Sequence, residues 1–95
     1  MKKSIQSIVF TLAHKIKTFF SSFGDALRAA WILGKLNLGR AVEFSFAKST
    51  GEVREAKAVA VGSLATLDKG FFRFVELKAD GETQWRSARL ERMIF

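Results

Sequence analysis

The spacing of apolar residues changes once along this chain, near residue 40, and that change constrains the fold more than any other feature. From Ile5 to Leu36 apolar side chains recur every three or four positions, and from Val42 onward they alternate with polar ones. The first spacing places apolar residues on one face of a helix, and the second places them on one face of a strand. The sequence therefore predicts an α+β fold in which helices come first and a sheet follows.

Two helices are predicted before residue 40. The first runs from Ile5 to Phe20 and is amphipathic. It is broken by Ser21, Ser22 and Gly24, and a second helix runs from about Phe23 to Leu36. Ser22 lies three positions before Asp25, the spacing of a capping serine and an acidic third residue. Because Trp31 lies on the broad apolar face of the second helix, we expect it to be buried against its neighbours.

Four to five short antiparallel strands are predicted after residue 40, and turn residues separate them. The turn signals are Lys48 to Gly51 and the Asp80–Gly81 pair, with a longer loop that contains Gly62, Asp68 and Gly70. The expected strands cover 42–46, 53–61, 71–78 and 84–88, with a short apolar piece in 89–95. This many short strands in about 55 residues suits a small SH3-like or Sm-like β-barrel.

Length and composition predict one folding unit. A chain of 95 residues with 48% hydrophobic content can bury a single core. We expect residues 1–40 to form a two-helix arm packed on a barrel formed by residues 41–95. No cysteine is present, which excludes disulfides and thiolate chemistry and is typical of a reducing compartment, so we expect a cytoplasmic protein.

The positive charge is concentrated in the predicted arm. The chain carries a net charge of +7, and residues 1–40 contain five Lys and two Arg against Asp25 alone. Residues 41–95 contain nine basic and eight acidic residues. Such an arm attracts phosphate polymers, acidic proteins or anionic surfaces.

Residues suited to catalysis are scarce. His14 is the only histidine, and it lies in the arm without a neighbouring catalytic partner. The carboxylates are spread along the strands and alternate with basic residues, and the chain contains no glycine-rich phosphate loop. We therefore predict a binding protein without enzymatic activity, metal or cofactor.

The segment from Trp85 to Met93 contains one Trp and three arginines, Arg86, Arg89 and Arg92. Arginine binds phosphate through several donors and stacks on bases. These three residues, together with Arg73 and Phe72, are the predicted ligand-binding residues. In the alternative interpretation Trp85 belongs to the core, and the arginines pair with Glu76, Glu82 and Glu91.

The spacing of these arginines restricts the backbone geometry with which they can share one site. Residues three apart lie on opposite faces of a strand, so Arg86 and Arg89 can share a site only if regular strand ends nearby. We predict a break near residues 87–91. A helical turn there would bring Arg89 and Arg92 to one side.

Several of these motifs, in this order, resemble the β-barrel core of the WYL domains. The matching features are the strand 42–46, Gly51-Glu52, Arg54, the aromatic strand 71–75, and Trp85-Arg86-x-x-Arg89-Leu90-x-Arg92. A helix like residues 23–31 precedes the barrel in small WYL-like proteins of bacteria and phages. The Trp-Tyr-Leu signature itself is absent, and Ala88 stands where that family usually has an aromatic residue. The resemblance implies an SH3-type barrel whose arginines face nucleic acid or a nucleotide.

Together these features predict a nucleic-acid or nucleotide-binding regulatory module encoded by a phage or mobile element. Basic side chains of the arm support binding; these are Lys15, Lys17, Arg28 and Lys35. The alternative is a small protein that inhibits a host factor, such as an anti-CRISPR or other anti-defence protein acting on a nucleoprotein complex. We expect no membrane partner, because the apolar face of the first helix is needed to cover the barrel. A separate expectation is that the arm offers a surface for homo-oligomer formation.

Overall fold

The computed structural model describes residues 5–95, which form two α-helices followed by an antiparallel five-stranded sheet. The helices are α1 (Ile5–Ile16) and α2 (Phe23–Asn37). The strands are β1 (Val42–Ala47), β2 (Val53–Val61), β3 (Phe71–Leu77), β4 (Thr83–Arg89) and β5 (Met93–Ile94). Short 3-10 helices cover Lys17–Phe19, Leu64–Lys69 and Leu90–Arg92. The predicted α+β class and the order of helices and sheet are confirmed.

The break between the helices is built by the capping serine that the sequence predicts. Ser22 is in an extended conformation, and its Oγ accepts a hydrogen bond from the backbone N–H of Asp25 at 3.2 Å. The first helix ends four residues earlier than predicted, because the chain tightens into the 3-10 helix Lys17–Phe19. The two helices approach closely, since a Cβ on Gly34 would lie 3.2 Å from a methyl group of Val9.

The strands follow one another as a meander, with one exception. The order across the sheet is β4-β3-β2-β1-β5, so each of the first four strands pairs with its neighbour in sequence, and β5 pairs with β1. Gly81 supplies the positive φ of +87° that the β3–β4 turn requires. Helix α2 packs on β1 and β2.

The segment between β2 and β3 is more ordered than the predicted loop. It contains the 3-10 helix Leu64–Lys69, and the Ser63 side chain accepts a hydrogen bond from the N–H of Ala65 at its start. Gly70 ends it with a φ of +84°, and a Cβ there would lie 2.9 Å from the ring of Phe19. This glycine therefore serves both the backbone turn and the close approach of the ring.

A single buried cluster joins the helices to the inner face of the sheet. At its centre four aromatic rings lie with neighbouring centroids 5.1 to 6.2 Å apart; these are Phe44, Phe46, Phe72 and Phe74. Trp31 is only partly buried at the edge of the cluster, less than predicted. Neither helix in residues 5–95 combines the length and the apolar character needed to cross a bilayer.

Candidate functional site

Glu76 is the single buried charged residue of the part of the chain that the structure describes. Strand β3 places it on the inner face, in line with Phe72 and Phe74, so the residue is only 5% exposed. Its Oε1 accepts hydrogen bonds from Arg54 Nη2 at 2.6 Å and from Arg86 Nε at 2.8 Å. One carboxylate from β3 therefore holds two guanidinium groups, from β2 and β4.

The charge of Glu76 is maintained against its burial. Desolvation by itself would raise the pKa of the Glu76 carboxyl. The hydrogen bonds from Arg54 and Arg86, together with their positive charges, lower the pKa by more than desolvation raises it. The net result is a pKa below the ordinary value of 4.5. At neutral pH Glu76 is therefore ionised and keeps both arginines in place.

These two arginines line an open hollow of about 520 Å³ together with further basic side chains. We call this the arginine hollow, and its basic members are Lys48, Arg54, Arg86, Arg89 and Arg92. The remaining wall consists of small and aromatic residues, namely Phe46, Ala47, Ser49, Phe71, Ser87 and Ala88. None of these wall residues is acidic, so the hollow presents donors and positive charge to whatever enters it.

Arg86, Arg89 and Arg92 line the same hollow, although Arg86 and Arg89 lie on opposite faces of β4. Arg86 pairs with inward-facing Phe74, and Arg89 pairs with Phe71 on the opposite face. Because β4 is an edge strand, a hollow along its free edge is accessible from both faces. The 3-10 helix that follows β4 then adds Arg92. The strand does end where a break was predicted, after Arg89, but no bulge separates Arg86 from Arg89.

Carboxylates neutralise part of this charge. Arg89 Nε donates to Glu91 at 2.7 Å, and Lys48 lies 3.9 Å from Glu52, both at exposed positions. The pairing of Arg86 with Glu76 and of Arg89 with Glu91 agrees with the alternative interpretation of the sequence, whereas the expected partner Glu82 is not used. Within residues 5–95 no carboxylate lies within 4 Å of the Arg92 guanidinium. Arg92 is therefore available to an external anion.

Two sequence predictions about aromatic residues are wrong. Phe72, predicted to support a ligand, is 0% exposed, and its ring is in the core cluster. Trp85, placed in the core by the alternative interpretation, is 61% exposed on the outer face. The cause is the side on which each strand residue lies, since residues 72 and 88 face inward and residues 73 and 85 face outward.

Arg73 lies outside the arginine hollow. It is exposed on the outer face of β3 and lines a separate hollow of about 540 Å³. We call this the Trp85 hollow; its lining residues are Gly62, Ser63, Thr66, Lys69, Phe71, Arg73 and Trp85. Arg73 and the three arginines near β4 are thus distributed over two neighbouring hollows.

The basic residues of the arm do not line the arginine hollow. Lys15 lies 3.5 Å from Asp68, and Arg28 Nη1 donates to Asp25 at 2.9 Å, while Lys17 and Lys35 are exposed. Exposed pairs of this kind contribute little to stability. These four basic residues therefore add diffuse positive charge outside the arginine hollow.

Arg54 and Lys48 were not among the residues predicted from sequence. A signal for Arg54 exists, since it lies at even spacing from inward-facing Ala56 and Ala58 and shares their face, just as Glu76 shares the face of Phe72 and Phe74. Opposite charges at inward positions of neighbouring strands indicate a buried ion pair. Lys48 follows β1 in the turn before β2, and its position depends on how that hairpin approaches β4, which no local pattern shows.

Comparison with protein-family models, curated protein sequences and solved structures finds no match to this chain. The site's chemistry must therefore be argued from its own residues. Within residues 5–95 no three His, Asp or Glu side chains gather in the way that metal ligands would. The two hollows offer guanidinium groups, the ammonium groups of Lys48 and Lys69, and the aromatic rings of Phe46, Phe71 and Trp85.

Proposed function

We propose that this chain is a binding module for nucleic acid or nucleotides that receives phosphate in the arginine hollow and catalyses no reaction. The observation that carries the proposal is the convergence of four guanidinium groups and Lys48, from three separate chain segments, on one open hollow. Clustered guanidinium groups suit phosphate, because each offers several N–H donors in a plane. A purely structural ion-pair network would bury such groups against an equal number of carboxylates.

Each basic residue has a distinct part in the proposal. Arg54 and Arg86 are positioned by Glu76, and Arg86 Nη2 also donates to Gln84 at 3.3 Å; their remaining N–H groups are the donors offered to phosphate. Arg89, which is exposed, and Arg92, which is half-buried, lie at and just beyond the end of β4 and supply further guanidinium groups. Lys48 adds an ammonium group from the β1–β2 turn. Glu76 is thus a positioning residue, which fixes the direction of two guanidinium planes before any phosphate arrives.

The finer architecture that we propose is an SH3-like or Sm-like barrel of the WYL type. Strands β4 and β5 lie at opposite edges of the five-strand order, which in a flat sheet would separate them by about 19 Å. Only the 3-10 helix Leu90–Arg92 connects them, and four residue steps span at most about 14 Å. A strongly curved sheet brings β4 and β5 within the distance that this connection can span. Such curvature also explains why residues of the β1–β2 turn and of β4 line one hollow.

Binding would be tested by fluorescence anisotropy with a labelled eight-nucleotide single strand over a salt series. Arg89→Gln/Arg92→Gln should weaken binding at least about tenfold and reduce the log–log salt slope by about 1.4, since each phosphate contact to a single strand contributes about 0.7. Gln is chosen because it removes charge without adding repulsion beside Glu91. Arg86 is not used, since its loss would also leave buried Glu76 with one partner fewer.

The matched control is Arg40→Gln/Lys78→Gln, which removes the same charge at two residues that line neither hollow. Its affinity and salt slope should stay close to those of the wild type. Equal losses in both double variants would show that only overall charge matters and would reject the site. Absence of wild-type binding at low salt to either the single strand or its duplex would reject the function.

A further inference from the structure

We propose that the nucleic acid bound by this chain is single-stranded and lies along the free edge of β4, with one base stacked on Trp85 and the adjoining phosphates in the arginine hollow. This inference rests on the proposed function and narrows its ligand class. Its basis is the juxtaposition of an exposed tryptophan, a neighbouring arginine and three adjoining hollows that share residues of β4.

The Trp85 ring is supported on one side and open elsewhere. The side chain is 61% exposed, yet its atom Cζ3 lies 3.4 Å from the point where a Cβ on Gly62 would be. The Cβ of Arg73 is equally close to that point. Gly62 is itself held to β3 by a hydrogen bond from its N–H to the Arg73 carbonyl, at 2.8 Å. One edge of the indole therefore lies close to backbone that is hydrogen-bonded to β3, while most of the side chain stays open to a base.

Trp85 makes no contribution to the core that would explain its presence. The core rings come from β1 and β3, whereas Trp85 lies among outward-facing residues of β3 and β4. Exposed aromatic rings beside arginine are the usual platform for unpaired bases, because every base has a flat face that can stack. Arg73 and Lys69 line the same hollow and offer charge to the flanking phosphates.

The Trp85 hollow and the arginine hollow share lining residues and so adjoin each other. A smaller hollow of about 250 Å³ is lined by residues of both, namely Arg73, Trp85, Arg86 and Ser87. Arg86 and Ser87 also line the arginine hollow, and Phe71 lines both larger hollows. From Trp85 to Arg89 the strand extends about 13 Å, at about 3.3 Å per residue. This path suits a short extended oligonucleotide.

The stacking surface selects single strands over duplexes. In a duplex both faces of an internal base are covered by neighbouring base pairs, so it cannot stack on Trp85 without being extruded at a cost. A single strand presents its bases freely and its phosphates on the same chain. A nucleic acid that engages both hollows is therefore unpaired at the base that reaches Trp85.

The test measures anisotropy with three labelled probes of equal length: an eight-nucleotide oligothymidylate, an octamer with the same backbone and no bases, and an eight-base-pair duplex. Trp85→Ala should weaken oligothymidylate binding about 5- to 150-fold and leave binding of the abasic octamer unchanged. Trp85→Phe, which keeps an aromatic face, should restore most of the lost affinity. In a Trp31→Phe background, oligothymidylate should quench the remaining Trp85 fluorescence and the abasic octamer should not.

Failure of the inference is distinguishable from failure of the proposed function. If wild type binds all three probes equally, or if Trp85→Ala changes no affinity while Arg89→Gln/Arg92→Gln reduces all of them, the arginine hollow binds phosphate and the stacking proposal is overturned. Tighter binding of the duplex than of oligothymidylate overturns it as well. If wild type binds none of the probes, both proposals fail.

Discussion

Replacing Glu76 with Gln removes the charge that holds Arg54 and Arg86 while nearly preserving the shape of the side chain. Loss of one partner from a buried ion pair costs about 3–5 kcal/mol, because the remaining charges stay in a poorly solvated place. Here the side chains of Arg54 and Arg86 are 27% and 31% exposed, so each can turn partly toward water. We therefore expect a loss of about 2–3 kcal/mol, which corresponds to a Tm lower by about 10–20 °C.

The pH dependence of that loss identifies its cause. Because the folded pKa of Glu76 lies below its ordinary value of 4.5, its ionised form stabilises the fold fully above pH 4.5. This stabilisation disappears as the pH falls through the folded pKa. The difference in free energy of unfolding between wild type and Glu76→Gln, measured by urea denaturation, should therefore be constant from pH 7 to 5. It should then shrink at lower pH.

Glu91→Gln is the matched control, since it breaks a similar pair with Arg89 in which both side chains are about half exposed. That pair should contribute no more than about 1 kcal/mol. A difference for Glu76→Gln that stays the same at pH 3 and pH 7 would refute the reasoning. The cost would then come from packing of the amide, and not from the ion pair.

Two further predictions concern the backbone. Gly70→Ala should lower the free energy of unfolding, measured in urea, by about 1–3 kcal/mol and by more than Gly81→Ala does. Both glycines have positive φ, but only a Cβ at Gly70 meets the Phe19 ring, so equal losses would exclude the ring contact as a factor. Ser22→Ala should cost about 1 kcal/mol through the lost cap of α2, measured by thermal melting, and an unchanged Tm would contradict that cap's contribution.

The elements that the sequence predicts well are those with a single strong pattern. The change of apolar period near residue 40 marks the junction between helices and sheet, and the Ser22 cap marks the start of α2 within one residue. The Asp80–Gly81 turn fixes the β3–β4 register, because a short hairpin turn leaves little choice of pairing between the two strands. These are local signals, and each is independent of the rest of the chain.

The inner and outer faces of β3 could not be assigned from sequence. Phe71, Phe72, Phe74 and Val75 are apolar on both sides of the alternation, so pattern alone does not decide which Phe is buried. The charge of Glu76 favours the solvent face, whereas the structure buries it. Only the opposing Arg54 and Arg86, brought by two other strands, make that burial tolerable. The site depends on these contacts between residues far apart in sequence, which the pattern of any one strand does not show.

The strand order also has a consequence for how the chain folds. α1 with α2, and β1 through β4, associate with neighbours in sequence, so most pairings close short loops and form quickly. The pairing of β5 with β1 joins Ser45 to Ile94 and closes nearly the whole sheet segment at once. With only two residues in β5, this pairing gains little to offset that entropy. Native-state hydrogen exchange should therefore find β5 opening well before the β2–β3 amides, and the Arg92 side of the arginine hollow loosening with it.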